Sequence, residues 1–195
     1  MRRFAAFVFP WGLNQYGLLA EQSAVIHQKY PETKTEEDEA WEGSPFDWFR
    51  KKPSATKGKI GRDLAAFLIE TSGFAVSRVG MGLEAEGKTI RVKLSLMWGA
   101  GSLTFEQIKD DPFDYLLCLG LYPGDSYGWF IPKKEMIVDG DAQDRDGFSG
   151  QHVQPGEKPS DFWLQGLDPL DPHEWLKEYG GTTDKLIKII QKTLG

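Results

Sequence analysis

Cysteine is almost absent from this chain. The only one, Cys118, sits inside an apolar run, so no disulfide forms within the chain and the thiol reads as a small buried hydrophobe. That usage suits a reducing compartment, and a cytoplasmic location is expected. Histidine is scarce as well: His27, His152 and His173 offer no His-x-x-x-His spacing, and no Cys-x-x-Cys exists, which excludes the common zinc patterns. No apolar run is long enough to span a bilayer, so no membrane partner is expected. The short run Phe4-Ala5-Ala6-Phe7-Val8-Phe9 is followed by Pro10 and Trp11 without a small-residue cleavage site, and it reads as a first strand rather than a signal peptide. No Gly-x-x-x-x-Gly-Lys-Ser/Thr loop cradles a phosphate, and no Ser-His-Asp arrangement is suggested. The acids Asp139, Asp141, Asp144 and Asp146 miss the calcium-loop pattern at Gln143.

What is present is an ordinary globular composition. A chain of 195 residues, 40% hydrophobic and 27% charged, fits one domain over 1–195 with a full core. The net charge of -6 argues against non-specific coating of nucleic acid, but it leaves room for a local basic groove. Apolar spacing predicts helices over 16–30, 60–72, 103–109 and 183–194. The run 113–122 reads as a strand buried on both faces, partnered by Trp129-Phe130-Ile131. Gly80, Gly82 and Gly87 mark a turn carrying Glu84 and Glu86, and 139–160 reads as a long loop.

Charge is unevenly distributed. Residues 32–42 are acidic and read as a solvated loop or exposed helix, with a DNA mimic, a gate or a protein-docking segment as the sharper options. The window 50–62 then reverses sign: Arg50, Lys51, Lys52, Lys57, Lys59 and Arg62 stand there with no acid before Asp63. This reads as a basic loop leading into a helix and suited to phosphate.

The stretch Ile90-Arg91-Val92-Lys93-Leu94-Ser95 carries the most information. As a strand it puts Ile90, Val92 and Leu94 on one face and Arg91, Lys93 and Ser95 on the other. Two cations side by side beside a core are costly unless they face a cleft or an anion. Edge-strand protection by lysine is the plainer alternative.

Four stretches then form a recognisable order: Lys57-Gly58-Lys59-Ile60-Gly61; Val92 to Trp98; Phe105 to Ile108 with Phe113-Asp114-Tyr115 and Cys118-Leu119-Gly120; and Trp129 to Lys133. Gly150-Gln151-His152, Trp163, Asp168-Pro169, Trp175-Leu176 and Tyr179-Gly180-Gly181 extend it. This pattern resembles the restriction-endonuclease-like PD-(D/E)XK superfamily, and within it small bacterial restriction endonucleases. The resemblance implies an α/β fold with a mixed central sheet flanked by helices, a nuclease-like core over 58–132, and a loop and C-terminal helix extension over 139–195. It also implies Mg²⁺- or Mn²⁺-dependent cleavage of double-stranded DNA, a role in defence, and a homodimer.

On that resemblance Lys93 takes the water-positioning lysine place, and Glu84 or Glu86 stands for the upstream acid. Asp63 is a substitute helix ligand beside them. Arg91 occupies the place of the second acid, and Arg62 that of the helix acid. Arginine cannot hold Mg²⁺. Three alternatives stay open: a metal site rebuilt from Asp63, Glu84 and Glu86; a degenerate nuclease that binds DNA or a partner protein through the same fold; or an inactivated variant. Lys51, Lys52, Lys57, Lys59, Arg62 and His152 are the candidate DNA contacts.

Overall fold

In the computed structural model the described residues are 15–29, 39–97 and 101–195. The strand expected at 4–9, the acids at 32–38 and Trp98 lie outside them. The helices are α1 (Gln15–His27), α2 (Asp47–Arg50), α3 (Ser54–Thr71) and α4 (Thr183–Leu194). The strands begin with β1 (Ser77–Val79), β2 (Gly82–Ala85), β3 (Lys88–Leu96), β4 (Leu103–Ile108), β5 (Tyr115–Leu121) and β6 (Ser126–Pro132). They continue with β7 (Ile137–Val138), β8 (Asp141–Ala142), β9 (Phe148–Gln151), β10 (Asp161–Leu167) and β11 (Gly180–Thr182).

Strand β5 organises the molecule. Its side chains alternate between two cores, Leu117, Leu119 and Leu121 on one side and Leu116 and Cys118 on the other. A strand with two dry faces belongs in the middle of a sheet. It lies fourth in a mixed six-stranded sheet of order β1-β2-β3-β5-β6-β11. Within that sheet β3 and β5 run parallel and every other neighbouring pair is antiparallel. One face is covered by α1, α3 and α4, which supply Leu19, Ile26, Ile60, Leu64, Leu68, Leu186 and Ile190 to the core. The other is covered by a second sheet of order β4-β10-β9, supplying Leu103, Phe105, Phe162 and Leu164. The expected α/β class with a mixed central sheet and flanking helices is therefore observed, with the helices on one face.

The alternation read from residues 90–95 holds. Ile90, Val92 and Leu94 join the helix-side core, and Gly61 lets α3 come close over them. A Cβ on Gly61 would lie 2.9 Å from Leu94 Cβ. The last helix also keeps its reading, with Leu186 and Ile190 buried and Lys185, Lys188 and Lys192 exposed.

Four expectations change. Residues 103–108 form β4 rather than a helix. Leu103 and Phe105 alternate with period two, and an extra residue at Glu106-Gln107 resets the register so that Ile108 turns inward again. The window 50–62 is not a loop, because α3 begins at Ser54 and puts Lys57, Lys59 and Arg62 on its first turns. Gly58 does not stop that helix, since an exposed helical glycine costs only about 1 kcal/mol against alanine. The glycine-marked turn contains β2, so the chain turns twice, at Gly80-Met81 before β2 and at Glu86-Gly87 after it. Glu86 and Gly87 both have positive φ (48° and 68°), as a two-residue hairpin of the primed type requires. The region 139–195 supplies β9, β10 and β11 to the two sheets, so it is more than a loop and a helix.

The small sheet sits so tightly on β5 that a Cβ at Gly120 would fall 2.2 Å from Leu103 Cδ1. Gly120→Ala is expected to lower the unfolding free energy by about 1–3 kcal/mol, the usual cost of overpacking. Gly124→Ala, in open space, serves as the control in urea titrations; equal midpoints for the two variants would contradict this packing.

Candidate functional site

The face of β3 that looks away from the helices carries Arg91, Lys93 and Ser95. Across the parallel ladder they pair with Leu116, Cys118 and Gly120. Ser95 is buried and its hydroxyl accepts the Thr104 backbone N–H at 3.2 Å. Arg91 meets the Asp111 carboxylate at 3.2 Å. Lys93 reaches instead to a backbone carbonyl, that of Gln107, at 2.6 Å. The sheet-side core draws no residue from β1, β2 or β3, so these cations line the margin of the region that the small sheet covers.

Lys93 is a costly residue in this place. Burial pushes its ammonium below the ordinary lysine range, and Arg91 adds to the depression, as does Lys109 more weakly. Cys118 and Asp161 act in the opposite sense. The Cys118 thiol is itself pushed up by burial.

The second-layer groups that act on Lys93, the Gln107 carbonyl, Lys109 and Asp161, lie at one end of the small sheet. The strands β4, β10 and β9 are antiparallel, so the end of β4, the start of β10 and the end of β9 fall together. That end holds the Gln107 carbonyl, and Lys109, whose ammonium donates to the Ser160 carbonyl at 3.3 Å. It also holds Asp161, whose side chain is only 5% exposed, and His152, whose Nδ1 lies 2.9 Å from Asp161 Oδ1. The Trp163 ring stands edge-on to His152 at 6.5 Å, and its shielded indole N–H has no acceptor among the described residues. Gln107 and His152 both have positive φ, 55° and 52°. Such backbone costs of order 1–3 kcal/mol per residue and concentrates where function requires it.

The carboxylates expected to bind a metal do not come together. Asp63 is buried on α3, on the helix side of the sheet, and is paired with Arg78. Removing the partner of a buried charge costs about 3–5 kcal/mol, so Asp63 has a structural role. Glu84 is exposed on the same face as Arg91 and Lys93, but it stands opposite Thr89, four residues from Lys93 and roughly 13 Å away along the strand. Glu86 is exposed in the hairpin turn beyond it. Extending the β2–β3 register places Gly82 opposite Arg91, where a Cβ would lie 2.7 Å from the Ile90 carbonyl oxygen. The positions facing Arg91, Gly82 and Leu116, thus lack a carboxylate, as does Cys118 across from Lys93. No group of three or more His, Cys, Asp or Glu side chains among the described residues is arranged to hold a metal ion. At an effective dielectric of about 20, a divalent cation ~4 Å from a guanidinium meets about 8 kcal/mol of repulsion before any offset from Asp111. The donor set at Lys93 does not fit Mg²⁺.

The basic window lies elsewhere. Lys52 is buried, Lys51, Lys57 and Arg62 are half-buried, and Lys59 is exposed, all on α3 or the segment entering it. Burial, then Arg50, lowers the Lys57 ammonium. These residues belong to the helical layer, whereas His152 alone of the candidate DNA contacts joins the Lys93 end. Lys109, Asp161 and Asp111 do not stand out in the sequence. The only signal there is Asp161-Phe162-Trp163-Leu164, an alternating run inside a polar segment.

No family model matches the chain, and neither a curated protein nor a solved structure does. No helix among the described residues is long and apolar enough to cross a membrane.

Because Lys93 is held below its ordinary pKa, the folded chain binds fewer protons there than the unfolded one. Its contribution to stability therefore rises with pH up to the unfolded value of 10.5. Lys93→Met is expected to unfold at an equal or higher denaturant midpoint at neutral pH and to lose that rise. A clear loss of stability in Lys93→Met would mean that the lysine holds the fold together.

Proposed function

We propose that this chain is a restriction-endonuclease-like protein that binds the phosphodiester backbone of double-stranded DNA at the margin of β3, without a metal-dependent cutting site. The observation that carries the reading is Lys93, partly desolvated between Arg91 and Lys109 and bonded to a carbonyl rather than a carboxylate. A cation that costs stability and offsets no acid in contact with it suits an external anion. Phosphate oxygens supply one, and displacing their counterions drives such binding at low salt. The order α3, β1-β2-β3 meander, then β5 parallel to β3 supports the reading. The crossover through β4, a strand where a helix was expected, is a departure from it.

A second reading, Mg²⁺- or Mn²⁺-dependent restriction cleavage in defence against foreign DNA, has one supporting observation. Asp114 accepts both the Thr89 N–H at 2.8 Å and the Thr89 hydroxyl at 3.0 Å, and Glu84 stands across from Thr89. Two carboxylates thus flank one end of the face that bears Lys93. Cytoplasmic location and a homodimer that engages both strands accompany either reading.

Fluorescence anisotropy with duplex DNA, beside a plasmid nicking assay in Mg²⁺ and Mn²⁺, separates the two. The first reading expects binding at low salt that is indifferent to Mg²⁺, weakened about tenfold or more by Arg91→Ala. It also expects no metal-stimulated cutting, either by the wild type or by Arg91→Glu, since Gly82 leaves the opposite acid missing. Metal-stimulated cutting by the wild type would favour the second reading, and failure to bind duplex DNA at low salt would remove both.

A further inference from the structure

The two histidines of the small-sheet region are used differently. His173 spends both ring nitrogens, Nδ1 on Asp146 at 2.9 Å and Nε2 on the Gln165 carbonyl at 3.1 Å, so it is a structural cross-link. His152 spends one. Its Nδ1 lies against Asp161, a carboxylate buried among apolar strands, while its side chain is 66% exposed and Nε2 has no partner among the described residues. A carboxylate on Nδ1 fixes the proton there and leaves the lone pair of Nε2 pointing outward, which is the tautomer of a general base. The ring is held by backbone of positive φ, next to an indole N–H that has no acceptor among the described residues. At the same end stand Lys109, just past β4, and Lys93, on β3 of the central sheet, each bonded to a carbonyl rather than a carboxylate.

We propose that His152, positioned by Asp161, is the general base of a metal-independent phosphodiester hydrolysis at this end of the sheet. The inference rests on the backbone-binding reading and adds chemistry to it. A water oxygen attacks phosphorus and forms the new P–O bond, and its proton passes to Nε2 of His152. The bond from phosphorus to one deoxyribose oxygen breaks, and that oxygen takes a proton from solvent. The products are a phosphomonoester and an alcohol, and the imidazolium returns its proton to water. Lys93 and Lys109 offset the charge that grows on the phosphoryl oxygens, the task a metal performs elsewhere. Asp161 is a positioning residue that steadies the imidazolium.

The test uses the full chain in excess EDTA, with bis(4-nitrophenyl) phosphate and supercoiled plasmid as substrates and duplex affinity measured on the same samples. The expected result is hydrolysis that survives chelation and falls about 100-fold or more in His152→Ala. Asp161→Asn is expected to lower kcat while KM and the folded-state circular dichroism stay as in the wild type. A wild-type rate at the buffer background, or an unchanged rate in His152→Ala, overturns the proposal. Duplex binding without hydrolysis would sink this inference and leave the binding reading standing, whereas absence of binding would sink the reading itself.

Discussion

Strand β5 has no wet face, and that constraint arranges everything else. Its odd-numbered leucines need the helical layer, while Leu116 and Cys118 need the second sheet. Once both covers are in place, the parallel ladder to β3 fixes Lys93 opposite Cys118 and Arg91 opposite Leu116. The cations are thereby carried to the seam between the central sheet and β4. They sit where burial is deep enough to depress an ammonium and shallow enough to admit an anion. The antiparallel pairing of the small sheet brings the ends of β4, β10 and β9 together, so that groups far apart in the chain, Lys93, Lys109, His152 and Asp161, share one neighbourhood.

The energetics of that neighbourhood point to ligand binding rather than to stability. Exposed or paired cations cost a fold little, but a half-buried lysine whose hydrogen bond goes to a carbonyl rather than a carboxylate works against it. Positive φ at Gln107 and His152 adds further strain, and Trp163 leaves a donor without an acceptor among the described residues. Locally unfavourable choices gathered in one place, within an otherwise well-packed core, are what a site requires. By contrast Asp63–Arg78 and Arg91–Asp111 are satisfied pairs, which removes Asp63 from the chemistry and tempers the guanidinium.

Much of this is legible in the sequence. The period-two pattern of 90–95, the doubly apolar 113–122 and the amphipathic 183–194 each state their burial directly, because one or two dry faces are written in the residue types. The misreadings share a cause. At 103–108 a bulge breaks the alternation, so Leu103, Phe105 and Ile108 mimic helical spacing. Gly58 and Gly82 look like punctuation, although one lies in a helix and the other opens a strand. The site is half visible: Arg91 and Lys93 stand out by their strand positions, and His152 by its place in a polar segment. Asp161 and Lys109 do not, since their meaning comes only from antiparallel pairing between segments about 50 residues apart. The carboxylates Glu84, Glu86 and Asp63 look close in sequence but are dispersed by a hairpin and a helix.

The central claim is that the cations at the margin of β3 seat phosphates. The most direct measurement is the slope of log affinity against log salt for duplex DNA, for the wild type and for Lys93→Gln with Lys109→Gln. Each phosphate left unneutralised should flatten the slope by about 0.9. The double variant is expected to fold, to bind more weakly and to show a slope shallower by close to two such steps. An unchanged slope, with the affinity carried instead by Lys51, Lys57 and Lys59 on the helical side, would contradict it.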